Sequence, residues 1–218
     1  MIRENARRIK ATIPDGVTLV AASKNNPAAA IREAFKAGIT VFGENRVQEM
    51  LAKIGEGAYD GAELHFIGRL QTNKVRQIVG KVALIQSVGS VKLAEEIDRC
   101  AAKLGLRQDV LLELNIGNEE NKAGFDVENF TRNLGILTKL PCICIRGLMI
   151  IPPIVADPSD SGAYFKLARK IMVDNSSELC QNACSPILSM GMSGDYEKAI
   201  ECGSTMVRVG TALFGNRE

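Results

Sequence analysis

A closed (β/α)8 barrel is the fold that the sequence predicts, and three observations predict it. Eight short, nearly all-apolar runs recur along the 218 residues, segments of helical periodicity separate them, and the alternation never reverses. Runs of that kind suit strands buried on both faces. Strict alternation of strand and helix requires parallel strands joined by crossover helices, and eight strands without a reversal of order favour a closed barrel over the alternative, an open doubly wound sheet.

The chain opens on a charged helix over Ile2–Thr12 and turns at Pro14-Asp15-Gly16. Strands are predicted at 17–23, 39–42, 64–67, 82–86, 110–115, 143–150, 187–190 and 206–209. Helical periodicity occupies 28–37, 47–54, 73–79, 91–104, 127–138, 164–180 and 196–201. The longest loop-like stretch, 152–162, is rich in Pro, Asp and Ser, and no low-complexity linker divides the chain. Residues 1–218 are therefore expected to form one domain, near the lower size limit for eight strand-helix units.

Lys and Arg number 27 against 25 Asp and Glu, a net charge of +2, so no long-range field favours nucleic acid or an acidic membrane. The start, MIRENARRIK, has no apolar stretch, and Arg146 interrupts the most apolar region, 142–155; a cytoplasmic location is expected. Cys100, Cys142, Cys144, Cys180, Cys184 and Cys202 are dispersed through strand-like and helix-like segments and read as reduced packing residues. Cys142 with Cys144, and Cys180 with Cys184, would each share a face, but histidine ligands are missing and no metal site is expected. The one histidine, His65, falls at a strand start, which excludes a Ser-His-Asp triad built elsewhere and leaves it a structural role.

In such a barrel the working residues lie where strands end and helices begin. The first strand ends Ala22-Ser23-Lys24, which aims Lys24 at the barrel mouth, with Asn26 placed to cap the next helix and Pro27 to take its first position. Most lysines are solvated surface charges. A lysine that forms an imine reacts as the neutral amine, a form that apolar surroundings favour, and position sets Lys24 apart. The second strand ends Phe42-Gly43-Glu44-Asn45-Arg46, where Asn45 is placed to bond a ring substituent or to cap a helix, and Glu44 to orient Lys24 or Arg46.

Barrels frequently hold phosphate with the loops after strands seven and eight. Here these loops are Met190-Gly191-Met192-Ser193-Gly194-Asp195 and Arg208-Val209-Gly210-Thr211, which supply hydroxyls and close-approaching backbone amides. Ser193 and Thr211 also read as ordinary helix caps.

These segments, with His65-Phe66-Ile67-Gly68-Arg69-Leu70-Gln71-Thr72-Asn73-Lys74, Lys122-Ala123-Gly124-Phe125, Arg146-Gly147-Leu148-Met149 and Leu188-Ser189, resemble the YggS/PROSC family. Its members are pyridoxal phosphate homeostasis proteins with a barrel related to the N-terminal barrel of alanine racemase, and the resemblance covers nearly the whole chain. It implies that pyridoxal 5'-phosphate (PLP) forms an aldimine with Lys24, that Ser193, Gly194, Gly210 and Thr211 hold the phosphate, that Arg208 faces the pyridine nitrogen and that Asn45 neighbours the ring. Arg69 stands where many relatives have histidine, and Lys122 and Lys74 lie in motif loops without an assigned role.

The reading that follows is a non-catalytic carrier or buffer of PLP that affects amino-acid pools. Its expected form is a monomer, exchanging cofactor with apo PLP-dependent enzymes and needing neither nucleic acid nor membrane. A racemase-like enzyme is the alternative; it needs a second base beside Lys24, and Tyr59, Tyr164 and Tyr196 are not obvious candidates. An unrelated sugar-phosphate enzyme on the same barrel is the third reading.

Overall fold

The computed structural model describes residues 1–119, 123–153, 161–179 and 185–215. Among them, eight parallel strands close into a barrel in simple sequential order, the last returning to the first. The strands are β1 (Thr18–Ala22), β2 (Val41–Glu44), β3 (Glu63–Phe66), β4 (Leu84–Val88), β5 (Gln108–Leu114), β6 (Ile143–Ile150), β7 (Ile187–Ser189) and β8 (Met206–Val209). The helices are α1 (Ile2–Thr12), α2 (Ala28–Lys36), α3 (Val47–Gly55), α4 (Val91–Leu104), α5 (Phe130–Leu137), α6 (Gly162–Asp174), α7 (Ser176–Leu179), α8 (Tyr196–Glu201) and α9 (Thr211–Phe214).

The α4 helix shows how local sequence builds the outer ring. Ser90 accepts a hydrogen bond from the Leu93 amide at 3.2 Å, Gly105 ends the helix at φ +65°, and Leu93, Ala94, Ile97, Cys100 and Ala101 form one buried stripe between these signals. Similar stripes from the other helices pack on the outward faces of the strands in one continuous core.

A second, separate apolar cluster consists of strand residues alone: Val20, Val41, Leu84, Leu111, Met149 and Met206. It fills the inside of the barrel, one side chain from each of six strands, and makes that interior a packed plug. Above it, towards the strand C-termini, the inward positions turn polar with Gln86, Glu113, Ser189 and Arg208, all buried.

Several boundaries differ from the sequence expectation for identifiable reasons. The stretch 73–79 forms a 3-10 helix, Thr72–Gln77. The helix expected from 127 starts at Phe130 because the Asp126 carboxylate accepts from the Glu128 amide and the Asn129 side chain, an alternative turn that delays it. The long helix expected over 164–180 begins at Gly162 and breaks at Asn175, whose side chain bonds back to the Ile171 carbonyl. The second strand runs on through Glu44, a fully buried carboxylate. In β6, Gly147 lies at φ +140°, and a Cβ there would fall 1.9 Å from the Ile187 carbonyl oxygen, so only glycine lets β6 approach β7 this closely.

Candidate functional site

The C-terminal end of the barrel opens into a cavity of about 370 Å³ lined by Lys24, Asn45, Arg69, Glu113, Met192 and Arg208 among others. Pockets of roughly 300–1,000 Å³ suit small ligands. A larger hollow of about 550 Å³ at the opposite end lies between the α1–β1 turn and residues Gly38–Val41, and none of the expected site residues lines it. The polar groups converge at the C-terminal end, where barrels of this type carry their chemistry.

Lys24 is half-buried in a turn just past β1. The turn is closed by a bond from the Asn26 amide to the Ser23 carbonyl at 3.1 Å, with Asn25 in the left-handed region at φ +59°. Asn26 does not cap α2 as expected: its side chain donates to the Lys24 carbonyl at 3.1 Å, and Pro27 occupies the N-cap position. The turn is also clamped from α3, where Lys53 Nζ donates to the Ser23 carbonyl at 2.8 Å and the Glu49 carboxylate accepts from the Asn25 amide.

Glu44 corrects a second expectation, since it orients neither Lys24 nor Arg46. Its Oε1 accepts from Ser23 Oγ, Lys53 Nζ and Tyr59 OH, each at 2.7 Å, in a region closed to solvent. Glu49 also accepts from Lys53 at 2.7 Å. Burial alone would raise the Glu49 pKa, but the bonds from Lys53 and the Asn25 amide bring it below the usual carboxylate value. Burial of the Tyr59 phenol and the Glu44 carboxylate beside it push that group's pKa upward, which keeps it a hydrogen-bond donor.

Arg208 is 4% exposed, yet borders the cavity. Its Nη1 donates to the Ser189 carbonyl at 2.9 Å and to Ser189 Oγ at 2.6 Å, and its Nη2 donates to the Ile150 carbonyl at 2.9 Å. A guanidinium has five N–H donors, so these bonds leave two unused. Desolvation lowers its pKa to about 10, with Glu113 and Asp195 acting against that fall, and the group stays cationic at neutral pH.

Asn45 is held by a close backbone crossing, because a Cβ on Gly68 would lie 2.2 Å from the Asn45 carbonyl oxygen. Its own side-chain Oδ1 is buried and has no hydrogen-bond partner. A buried acceptor left unmet at a cavity wall is costly and fits a site shaped for a polar ligand.

Ser193 joins the loops after β7 and β8: its Oγ accepts from the Gly210 amide at 3.2 Å and the Ala212 amide at 3.3 Å. It therefore does not cap α8; the turn before that helix is closed by Asp195, whose carboxylate accepts from the Met192 amide at 2.7 Å. Gly194 and Thr211 are exposed beside this junction, Thr211 being the first residue of α9. None of these four residues lines the cavity wall itself; Met192 and Arg208, close to them in the chain, do.

Lys74, Arg46 and Arg69 border a second groove that adjoins the cavity at Asn45. Lys122, Cys180 and Cys184 lie outside the described residues. Cys100, Cys142, Cys144 and Cys202 are thiols. Among the described residues, no helix is long and apolar enough to cross a membrane.

Glu113 was not anticipated from sequence. It lies in β5, 8% exposed, and desolvation raises its pKa despite the opposing Arg208 and Arg69 charges. A carboxyl with a raised folded pKa costs stability once it ionises, so Glu113→Gln is expected to raise the melting temperature at pH 7. At pH 3.5, where Glu113 is mostly protonated folded and unfolded, the gain should nearly vanish; an equal gain at both pH values counts against the assignment. Its sequence signal was the one carboxylate inside the apolar run 110–115, and Gln86 and Ser189 are the same kind of interruption in β4 and β7.

A barrel with these features defines a class: the chain matches the family model described as alanine racemase, N-terminal domain, across residues 1–218, and it belongs to that family. Within it, the chain groups with the pyridoxal phosphate homeostasis proteins. The one from Aquifex aeolicus is 46% identical over 92% of this chain and 87% of its own length. PipY from Synechococcus elongatus, solved with PLP bound, shares 40% identity at a TM-score of 0.90, over 99% of this chain and 100% of that one. An alanine racemase from Clostridium difficile, 17% identical with a TM-score of 0.80, shares the fold, and this chain corresponds to 56% of it.

Proposed function

We propose that the protein binds PLP covalently through Lys24 and serves as a carrier or buffer that yields the cofactor by exchange. The observation that carries this reading is the cavity that brings Lys24, the buried Arg208 and the unmet Asn45 acceptor to one barrel mouth. PLP supplies an aldehyde there. The Lys24 amine nitrogen bonds to the aldehyde carbon with loss of one water, and release reverses this, with water or another amine taking the place of Lys24. Asn45 has a spare acceptor for a ring substituent or its proton, and the Ser193 hydroxyl, which accepts from two amides and keeps its own proton, offers with Gly194 and Thr211 donors for a phosphate. The PLP-bound relative PipY supports the choice of cofactor.

Arg208 speaks against transamination, though not against a racemase. A permanent cation opposite the pyridine nitrogen disfavours protonation of the ring, which weakens it as an electron sink. Inversion at an amino-acid α-carbon also needs a base on each face. All three tyrosines are described and none lines the cavity: Tyr59 is bonded to Glu44, Tyr164 lies on α6, and Tyr196 is 2.8 Å from Thr12 Oγ1. One observation favours the racemase alternative, namely the buried Glu113 carboxyl in the same cavity.

The deciding experiment incubates holo protein with an apo PLP-dependent enzyme and, separately, with a panel of L-amino acids under chiral chromatography. The apo enzyme should regain activity, and D-amino acids should appear no faster than with PLP alone. Robust turnover of one amino acid, lost in both Lys24→Ala and Glu113→Gln, would replace the carrier by the enzyme.

A further inference from the structure

Behind Arg208, on the side away from the cavity, a line of polar side chains crosses the barrel interior. Arg208 Nη1 donates to Ser189 Oγ at 2.6 Å, and Ser189 Oγ donates to Gln86 Oε1 at 2.7 Å. Gln86 Nε2 lies 2.9 Å from His65 Nδ1, and His65 Nε2 lies 2.6 Å from Glu63 Oε1. Ser189, Gln86 and His65 are each 1% exposed or less, whereas the Glu63 side chain is 53% exposed at the start of β3, the opposite end of the barrel. The line uses four strands, β3, β4, β7 and β8, and runs alongside the apolar plug, with Gln86 Nε2 3.2 Å from Met206 Sδ.

The direction of every hydrogen bond in it follows from its two ends. Glu63 accepts from His65, and that bond holds its carboxyl below the usual carboxylate range. A neutral imidazole that donates through Nε2 must accept at Nδ1, so Gln86 presents its amide N–H₂ to His65. The Gln86 carbonyl then faces Ser189, which gives it its one hydroxyl proton and turns a lone pair to Arg208. All donors point from the guanidinium towards the far carboxylate, an arrangement in which each bond polarises the next.

We infer that Gln86 and His65 are positioning residues for Arg208: the chain they form with Ser189 and Glu63 fixes acceptors behind the guanidinium and so turns its remaining N–H groups to the ring of the bound cofactor. This rests on the cofactor reading above. Without the Gln86 carbonyl, the Ser189 hydroxyl proton is no longer committed, and one of the three anchors of Arg208 loses its fixed polarity.

Two measurements test it. The chain has a single histidine, so the imidazole nitrogen resonances of ¹⁵N-labelled protein need no assignment; they should show Nε2 protonated and Nδ1 bare at neutral pH. An Nδ1–H tautomer or an imidazolium overturns the inference, with or without cofactor. In holo protein, Gln86→Met, close in length, should lose PLP about tenfold faster, the equivalent of one hydrogen bond, and shift the near-visible absorbance band. Gln86→Glu, which restores an acceptor for Ser189, should recover much of the retention while adding a proton at His65 Nδ1, because the ring then lies between two carboxylates. A purely structural role lowers the melting temperature and leaves band, release rate and tautomer alone. Unchanged release and band in folded Gln86→Met overturn the inference; if that variant does not fold, failure of Gln86→Glu to protonate Nδ1 does so. Wild-type protein that takes up no PLP at all sinks the cofactor reading instead, and the tautomer still decides the chain.

Discussion

Lys24→Ala should abolish the covalent adduct: borohydride reduction of wild-type protein loaded with PLP should fix one cofactor mass on the peptide carrying Lys24, and the variant should carry none. The expectation is all-or-none, because Lys24 is the one lysine on the cavity wall among the described residues. The nearest rival in the described structure, Lys74, borders the adjoining groove, and Lys53 is spent on Ser23, Glu44 and Glu49. An undiminished adduct in the variant, or its location on Lys122 or Lys74 in wild type, removes Lys24 from the site.

The second large effect concerns stability. Lys53→Met strips the cation from a cluster in which Glu44 is fully buried and Lys53 is 6% exposed, with 2.7 Å between them. Removing one partner of a buried ion pair costs about 3–5 kcal/mol, because the other charge is left uncompensated. Urea denaturation should show a loss of that size. Adding Glu44→Gln should restore a substantial part of it, since a neutral amide needs no counter-charge while its oxygen still accepts from Ser23 and Tyr59. A double variant no more stable than Lys53→Met would mean that the lysine acts through its bond to the Ser23 carbonyl rather than as a counter-ion.

The barrel was legible because its strands are buried on both faces and therefore apolar without interruption, a pattern that survives without any contact information. The positions of Lys24, Asn45 and Arg208 at one mouth followed from the rule that strand ends carry function. What sequence reasoning missed are partnerships between residues far apart in the chain. Glu44 next to Asn45 read as a site residue, but its partners Ser23, Lys53 and Tyr59 come from three other segments, and no local pattern announces them. Ser193 read as a possible cap because caps are local, whereas its bonds reach 17 and 19 residues ahead. His65 read as structural, without the Gln86 and Glu63 partners that give its two nitrogens different tasks.

The apolar plug of Val20, Val41, Leu84, Leu111, Met149 and Met206 has a kinetic corollary. A vessel stoppered at its base has one doorway, so loading and unloading compete for it. For a protein that hands on a small molecule, supplier and recipient then take turns at the same rim, and no ternary relay through the barrel forms. Transfer to a protein acceptor that docks there should accordingly slow as any macromolecular supplier is raised in excess, the double-displacement signature of two visitors sharing one threshold.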